Sequence, residues 1–113
     1  MHELAITQSM IDIVLEQAEK AGAQKVERIN LTIGEMSGFV EEAVRFYFEF
    51  LAKGTPAEEA SLCVNQVAGR ARCHDCGAEF SLKELDWTCP VCGSNNIEIT
   101  TGRELFVESI EVE

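Results

Sequence analysis

Four cysteines fall in two C-x-x-C pairs, Cys73-His74-Asp75-Cys76 and Cys89-Pro90-Val91-Cys92, with twelve residues between them. Each pair is followed by a glycine, Gly77 or Gly93. A C-x-x-C turn presents two thiolates on one side of a tight bend, and the glycine takes the positive φ that closes it. Backbone N–H groups of such a knuckle can point at the sulfurs and spread their negative charge. Two facing knuckles make a tetrahedral four-thiolate cage with Zn–S near ~2.3 Å, and the spacing reads as a structural zinc site. Four protein ligands leave no open position for a substrate, so catalysis at this metal is not expected.

A second set of ligands stands at the start, Met1-His2-Glu3. Removal of the initiator methionine requires a small second residue, so Met1 is expected to stay with its α-amine free. That amine has a reference pKa of about 7.7–8.0, low enough to ligate near neutrality. The His2 imidazole and the backbone amides of His2 and Glu3 complete a planar nitrogen set, which suits Ni²⁺ or Cu²⁺ rather than zinc or magnesium. On these three residues alone, an ordinary N-terminus is the simpler reading.

The charge balance narrows the alternatives. Nine Lys+Arg against twenty Asp+Glu give a net charge of −11, and an acidic surface repels phosphate backbones. Within the cysteine segment, Arg70, Arg72 and Lys83 are outnumbered by Asp75, Glu79, Glu84 and Asp86. A nucleic-acid zinc ribbon is therefore disfavoured. Iron stays open, because the Cys-Pro-x-Cys-Gly knuckle also resembles that of rubredoxin, an electron carrier. No Lys or Arg precedes Lys20, which excludes an ordinary secretory signal. No apolar run approaches the ~18–20 residues of a membrane span. The expected compartment is the cytoplasm, where paired cysteines bind metal more often than they form disulfides. His74 reads as an exposed spacer or a ligand for a second metal, Trp87 as packing over the cage, and Cys63 as a small buried strand residue.

The elements that must position these groups follow from periodicity. Residues 4–21 predict a helix with Ile6, Met10, Ile13, Val14, Ala18 and Ala21 on one face, ended by Gly22. Residues 26–33 alternate as a strand. Residues 41–53 predict a second helix, with Val44, Tyr47, Phe48 and Leu51 on one face. Phe46 and Phe50 form a second stripe, so this helix is expected to be wedged between two surfaces. Residues 62–67 and 104–112 read as further strands. In the last, Phe106, Ile110 and Val112 share a face interrupted by Glu108. The expected fold is α+β: two helices on a small mixed sheet of about three strands, with an inserted four-cysteine zinc ribbon. The expected division is residues 1–68 plus 97–113 as the α+β nickel-binding domain and 69–96 as the ribbon, inserted between strands.

The start Met1-His2-Glu3-Leu4, the segment Gly34-Glu35-Met36-Ser37-Gly38, Phe46-Tyr47-Phe48-Glu49, the two knuckles, Gly102-Arg103-Glu104-Leu105 and Ser109-Ile110-Glu111-Val112 occur in order along the chain. Together they resemble the HypA family, nickel metallochaperones of [NiFe]-hydrogenase maturation. The resemblance implies nickel at Met1, His2 and Glu3 through the amine, the imidazole and the backbone amides. It implies structural Zn²⁺ at Cys73, Cys76, Cys89 and Cys92, with Ni²⁺ as transported cargo. It implies partnership with the GTPase HypB and the hydrogenase large-subunit precursor, and in some members a role in urease maturation. The chain departs from the family pattern at Val40-Glu41, where a proline is expected nearby. The function expected is nickel delivery by a monomer or homodimer, not catalysis. The alternatives are a rubredoxin-like carrier and a zinc-ribbon adaptor.

Overall fold

The computed structural model describes residues 3–82 and 87–113. Helix α1 (Glu3–Lys20) buries Thr7, Met10, Ile11, Val14 and Ala18. This is one helical stripe, rotated from the expected one: Ile11 and Thr7 replace Ile13, which is 50% exposed, and Ala21, which lies past the helix end. The Thr7 hydroxyl has no hydrogen-bond partner among the described residues. The helix closes with a Schellman motif, in which the Ala23 N–H donates to the Ala18 carbonyl and the Gly22 N–H to that of Glu19, with Gly22 at φ +69°.

Strand β1 (Val26–Gly34) is the central strand of the first sheet. Helix α2 (Glu41–Leu51) then crosses back, and β2 (Ser61–Val67) pairs with β1 in parallel, Ile29 opposite Leu62. Parallel neighbours need such a crossover, and a helix supplies it. The Arg45 guanidinium donates to the Glu41 carboxylate at 2.8 Å and to the Leu62 carbonyl at 2.8 Å, so the crossover helix is tied directly to its strand. The two helices pack with the sheet around one core that includes Ile11, Val14, Val26, Ile29, Leu31, Val44 and Phe48. Phe46 and Phe50 do not join it: among the described residues α2 is covered on one side only, and the two rings are 67% and 68% exposed.

The strand β3 (Arg70–Cys73) begins a second sheet, flanked by β4 (Glu79–Ser81) and β5 (Ile97–Thr101), both antiparallel to it. The expected boundary after residue 96 falls immediately before β5, which pairs with β3 and not with β1. Strand β6 (Leu105–Val112) returns to β1 in antiparallel register, completing a mixed order β2-β1-β6. Its face pattern differs from the simple alternation expected. Asn30 pairs with Ser109 but Leu31 with Val107, so Glu108 is an extra residue in a β-bulge. The bulge shifts parity by one. Leu105, Val107, Ile110 and Val112 all pack on the core, while Phe106 is turned out and left 49% exposed.

Two chain crossings, 67–70 and 101–105, join the sheets, and the end of β1 is hydrogen-bonded to both. The Glu35 N–H donates to the Val67 carbonyl at 2.8 Å, that of Met36 to Gly102 at 2.6 Å, and that of Gly34 to Glu104 at 2.6 Å. The Gly102 N–H donates to the Glu104 carboxylate at 2.7 Å. The molecule is long, 55 × 25 × 17 Å in Cα extents.

Candidate metal centre

Each knuckle repeats the same two backbone hydrogen bonds. In the first, the Cys73 N–H donates to the Ala78 carbonyl and the Gly77 N–H to that of Cys73, both at 2.9 Å. In the second, the Cys89 N–H donates to Ser94 at 2.8 Å and the Gly93 N–H to Cys89 at 2.9 Å. Gly77 and Gly93 sit at φ +77° and +75°, the left-handed backbone expected of the residue that closes each bend. The first cysteine of each pair is buried and the second exposed.

A side-chain network holds the knuckles face to face. The Ser94 hydroxyl donates to the Asp75 carboxylate, which also accepts from the Asn96 amide at 3.4 Å. Beside this network the backbone N–H of His74 donates to the backbone carbonyl of Asn96 at 2.9 Å. Asp75 is held below the usual carboxylate range by the Ser94 hydroxyl and then by Asn96.

The four sulfurs all lie within 4.8 Å of one another. Cys73 Sγ is 3.5 Å from Cys92 Sγ, and Cys76 Sγ is 3.6 Å from Cys89 Sγ, far beyond a disulfide bond. Four thiolates at ~2.3 Å from a central zinc stand roughly 3.8 Å apart, so the donor set fits a tetrahedral metal. N–H groups aim at the sulfurs as the knuckle geometry demands: Val91 N lies 3.4 Å from Cys89 Sγ. The N–H of Cys92, with that of Val91, lowers the Cys89 thiol to about 7. The Ser94 N–H favours the Cys92 thiolate, yet sharing with Cys73 and burial push Cys92 up to about 12. One thiolate thus forms readily beside thiols that resist ionisation. A divalent cation held among the four sulfurs would favour the thiolate form of each.

The described residues buried in this part of the chain include only Ala71, Cys73, Leu82 and Cys89 as hydrophobic members, and two of these are ligands. So few apolar groups cannot stabilise a domain by burial alone. A metal bound there would supply a cross-link where the described apolar groups are few.

The other candidate residues are placed as follows. His74 is exposed, with Nε2 3.6 Å from a Glu98 carboxylate oxygen. Glu98 also meets Arg72 at 3.2 Å. Trp87 leaves 42% of its surface to solvent. Cys63 is half-buried on β2 opposite Asn30. Glu3 is the first residue of α1, while Met1 and His2 lie outside the described residues. The Asp75–Ser94–Asn96 network was missed by sequence reasoning; three small polar residues beside the knuckles were its one visible signal.

The family model described as "Hydrogenase/urease nickel incorporation, metallochaperone, hypA" matches residues 1–112. The hydrogenase maturation factor HypA of Caldanaerobacter subterraneus subsp. tengcongensis is 41% identical over 114 residues, covering 100% of both chains. The hydrogenase maturation factor HypA of Nostoc sp. is 43% identical over 113 residues, covering 100% of this chain and 96% of its own. The solution structure of the Ni metallochaperone HypA from Helicobacter pylori superposes with a TM-score of 0.70 at 31% identity, covering 99% of this chain and 97% of its own. A second HypA solution structure gives 0.74 at 31% identity, with 100% and 97% coverage.

Proposed function

The chain belongs to the HypA family of hydrogenase/urease nickel-incorporation metallochaperones, and on that premise we propose that it captures Ni²⁺ at its N-terminus and hands it on during [NiFe]-hydrogenase maturation. The observation that carries the reading is the family match over residues 1–112. The ligands proposed are the Met1 amine, the His2 imidazole and the backbone amides of His2 and Glu3. Such an all-nitrogen planar set favours Ni²⁺ and Cu²⁺. Helix α1 starts at Glu3 and is packed on the core through Thr7, Met10 and Ile11. The last of the three proposed residues is thus the first of a helix packed on the core. Handover is ligand exchange: the partner offers better-placed donors, and no covalent step is needed.

Cys73, Cys76, Cys89 and Cys92 would hold Zn²⁺ as a resident structural ion. The acidic chain raises local cation concentration modestly. The partners proposed are the GTPase HypB and the hydrogenase large-subunit precursor, with urease maturation as a related destination. The proposed compartment is the cytoplasm; among the described residues no helix is long and apolar enough to cross a membrane.

The test is a Ni²⁺ titration of zinc-loaded protein with its native terminus and of the same protein extended before Met1. The extension turns the amine into an amide but keeps His2. Nickel binding by the native terminus alone supports the chelate. Equal binding by both would remove the amine from the ligand set, and binding by neither would end the nickel reading.

A further inference from the structure

We propose that the outward face of α2 docks a basic, amphipathic helical segment of a partner protein. Phe46 and Phe50, one helical turn apart, leave two thirds of their surface to solvent, although large apolar side chains are ordinarily buried. The Phe46 ring meets Tyr47 edge to face, with centroids 5.3 Å apart. Glu42 and Glu49 flank the two rings on the same helical face, and neither carboxylate has a hydrogen bond or ion pair among the described residues. Glu41, one position away, is by contrast drawn inward by Arg45 at 2.8 Å and Gln66 at 2.6 Å. The face thus keeps its aromatic rings and its carboxylates uncommitted.

A groove of about 470 Å³ runs beside this face, lined by Arg45, Glu49, Lys53, Glu58, Glu59 and Leu62. Glu49 and Lys53 border both the groove and the aromatic pair. Along the combined surface Glu42, Glu49, Glu58 and Glu59 stand against Arg45 and Lys53, with Glu59 already paired to Lys25 at 2.9 Å, and the whole chain carries −11. Charge complementarity selects a basic occupant and works against anionic lipid and nucleic acid. It also works against a second copy of this chain. Two rings exposed to this degree offer roughly 250–300 Å² of apolar area per copy, well short of the ~800 Å² per partner of a stable interface. A partner helix meets the need better. Its apolar residues at i, i+3 and i+4 lie on Phe46 and Phe50, its lysines or arginines meet Glu42 and Glu49, and further side chains fill the groove.

The test uses zinc-loaded protein and two synthetic helical peptides with one leucine face, flanked by lysines in one and glutamates in the other. Amide shifts in ¹H–¹⁵N spectra locate binding. The lysine peptide is expected to shift residues 42–53 and 58–62 and the glutamate peptide to leave them unmoved. Phe46→Ser with Phe50→Ser should weaken the lysine peptide by about tenfold or more (~1.4 kcal/mol) with the melting temperature kept. Glu42→Gln with Glu49→Gln should weaken it and reduce its salt dependence. Equal binding of both peptides, shifts confined to other surfaces, or no binding would overturn the proposal. So would a concentration-dependent dimer abolished by the double serine variant, which would assign the face to a second copy. No nickel enters the assay, so this proposal and the N-terminal chelate can fail separately.

Discussion

Gly34 and Gly102 meet backbone to backbone, so that a Cβ on Gly34 would lie inside the contact radius of the Gly102 carbonyl oxygen and 2.7 Å from the Glu104 nitrogen. Gly102 in turn sits at φ +108°, and a Cβ there would stand 2.7 Å from the Gly69 Cα. Three glycines from three segments thus pack where the two sheets join. The neighbours of Gly34 and Gly102 are backbone atoms, which cannot swing aside, whereas a Cβ on Gly69 would meet the Met36 side chain at 2.7 Å. The join is a close-packed seam that extends the hydrogen bonding of β1 to both crossings.

Gly34→Ala is expected to cost about 2 kcal/mol or more, as overpacking against fixed atoms does. Urea unfolding of the zinc-loaded protein measures it. Gly54→Ala serves as a contrast: among the described residues nothing lies within 4 Å of a Cβ there, so its cost comes from the φ of +79° and not from overpacking.

Cys73→Ser should abolish stoichiometric zinc and unfold β3, β4 and β5, because the described hydrophobic core of that part is little more than Ala71, Leu82 and two ligands. The helices and the β2-β1-β6 sheet have their own core and should persist. Zinc content and amide spectra report the two halves separately, and full zinc retention would contradict the four-cysteine site.

His2→Ala should weaken Ni²⁺ binding at least about 100-fold (~2.7 kcal/mol) and leave the melting temperature within a degree or so. Calorimetric titration beside a thermal melt checks both. A large loss of stability would make His2 a structural residue.

Glu41 accepts hydrogen bonds from Arg45 and Gln66, and these, Arg45 first, hold its carboxyl below the ordinary 4.5. A carboxyl depressed in the native state stabilises the fold above its unfolded pKa. That contribution fades as pH falls below about 4.5 and through the native value. Arg45 is partly solvent-exposed, so Glu41→Gln should cost only about 0.5–1 kcal/mol at pH 7. The two proteins should converge in stability as the acid limb is descended, which unfolding curves across pH 3–7 would show.

Thr7→Val should be neutral or stabilising by about 1 kcal/mol, because it removes a buried hydroxyl with no partner among the described residues. Thermal unfolding decides it, and a clear loss of stability would show that the hydroxyl is satisfied after all.

What the sequence determined by itself is what depends on short-range order. Cysteine spacing and the following glycines specify the knuckles, since a C-x-x-C-G bend is closed by residues adjacent in the chain. Glycine 22 ends α1, and the apolar runs mark both helices and the strands of the first sheet to within a residue or two. The tertiary structure decided what depends on partners far away in sequence. Which stripe of α1 is buried, Ile11 rather than Ile13, follows from how the helix is rolled on the sheet. Phe46 and Phe50 are outside because none of the described residues packs on the second side of α2. The second sheet escaped periodicity because β3 and β4 have four and three residues, too short to alternate visibly. Above all, β6 has two incompatible halves if read as plain alternation. Pairing with β1 resolves them by expelling Glu108 into a bulge, where its carboxylate accepts from Thr32 at 3.2 Å. An alternating pattern records which face each residue would take on an unbroken strand; only the neighbouring strand determines where the break falls.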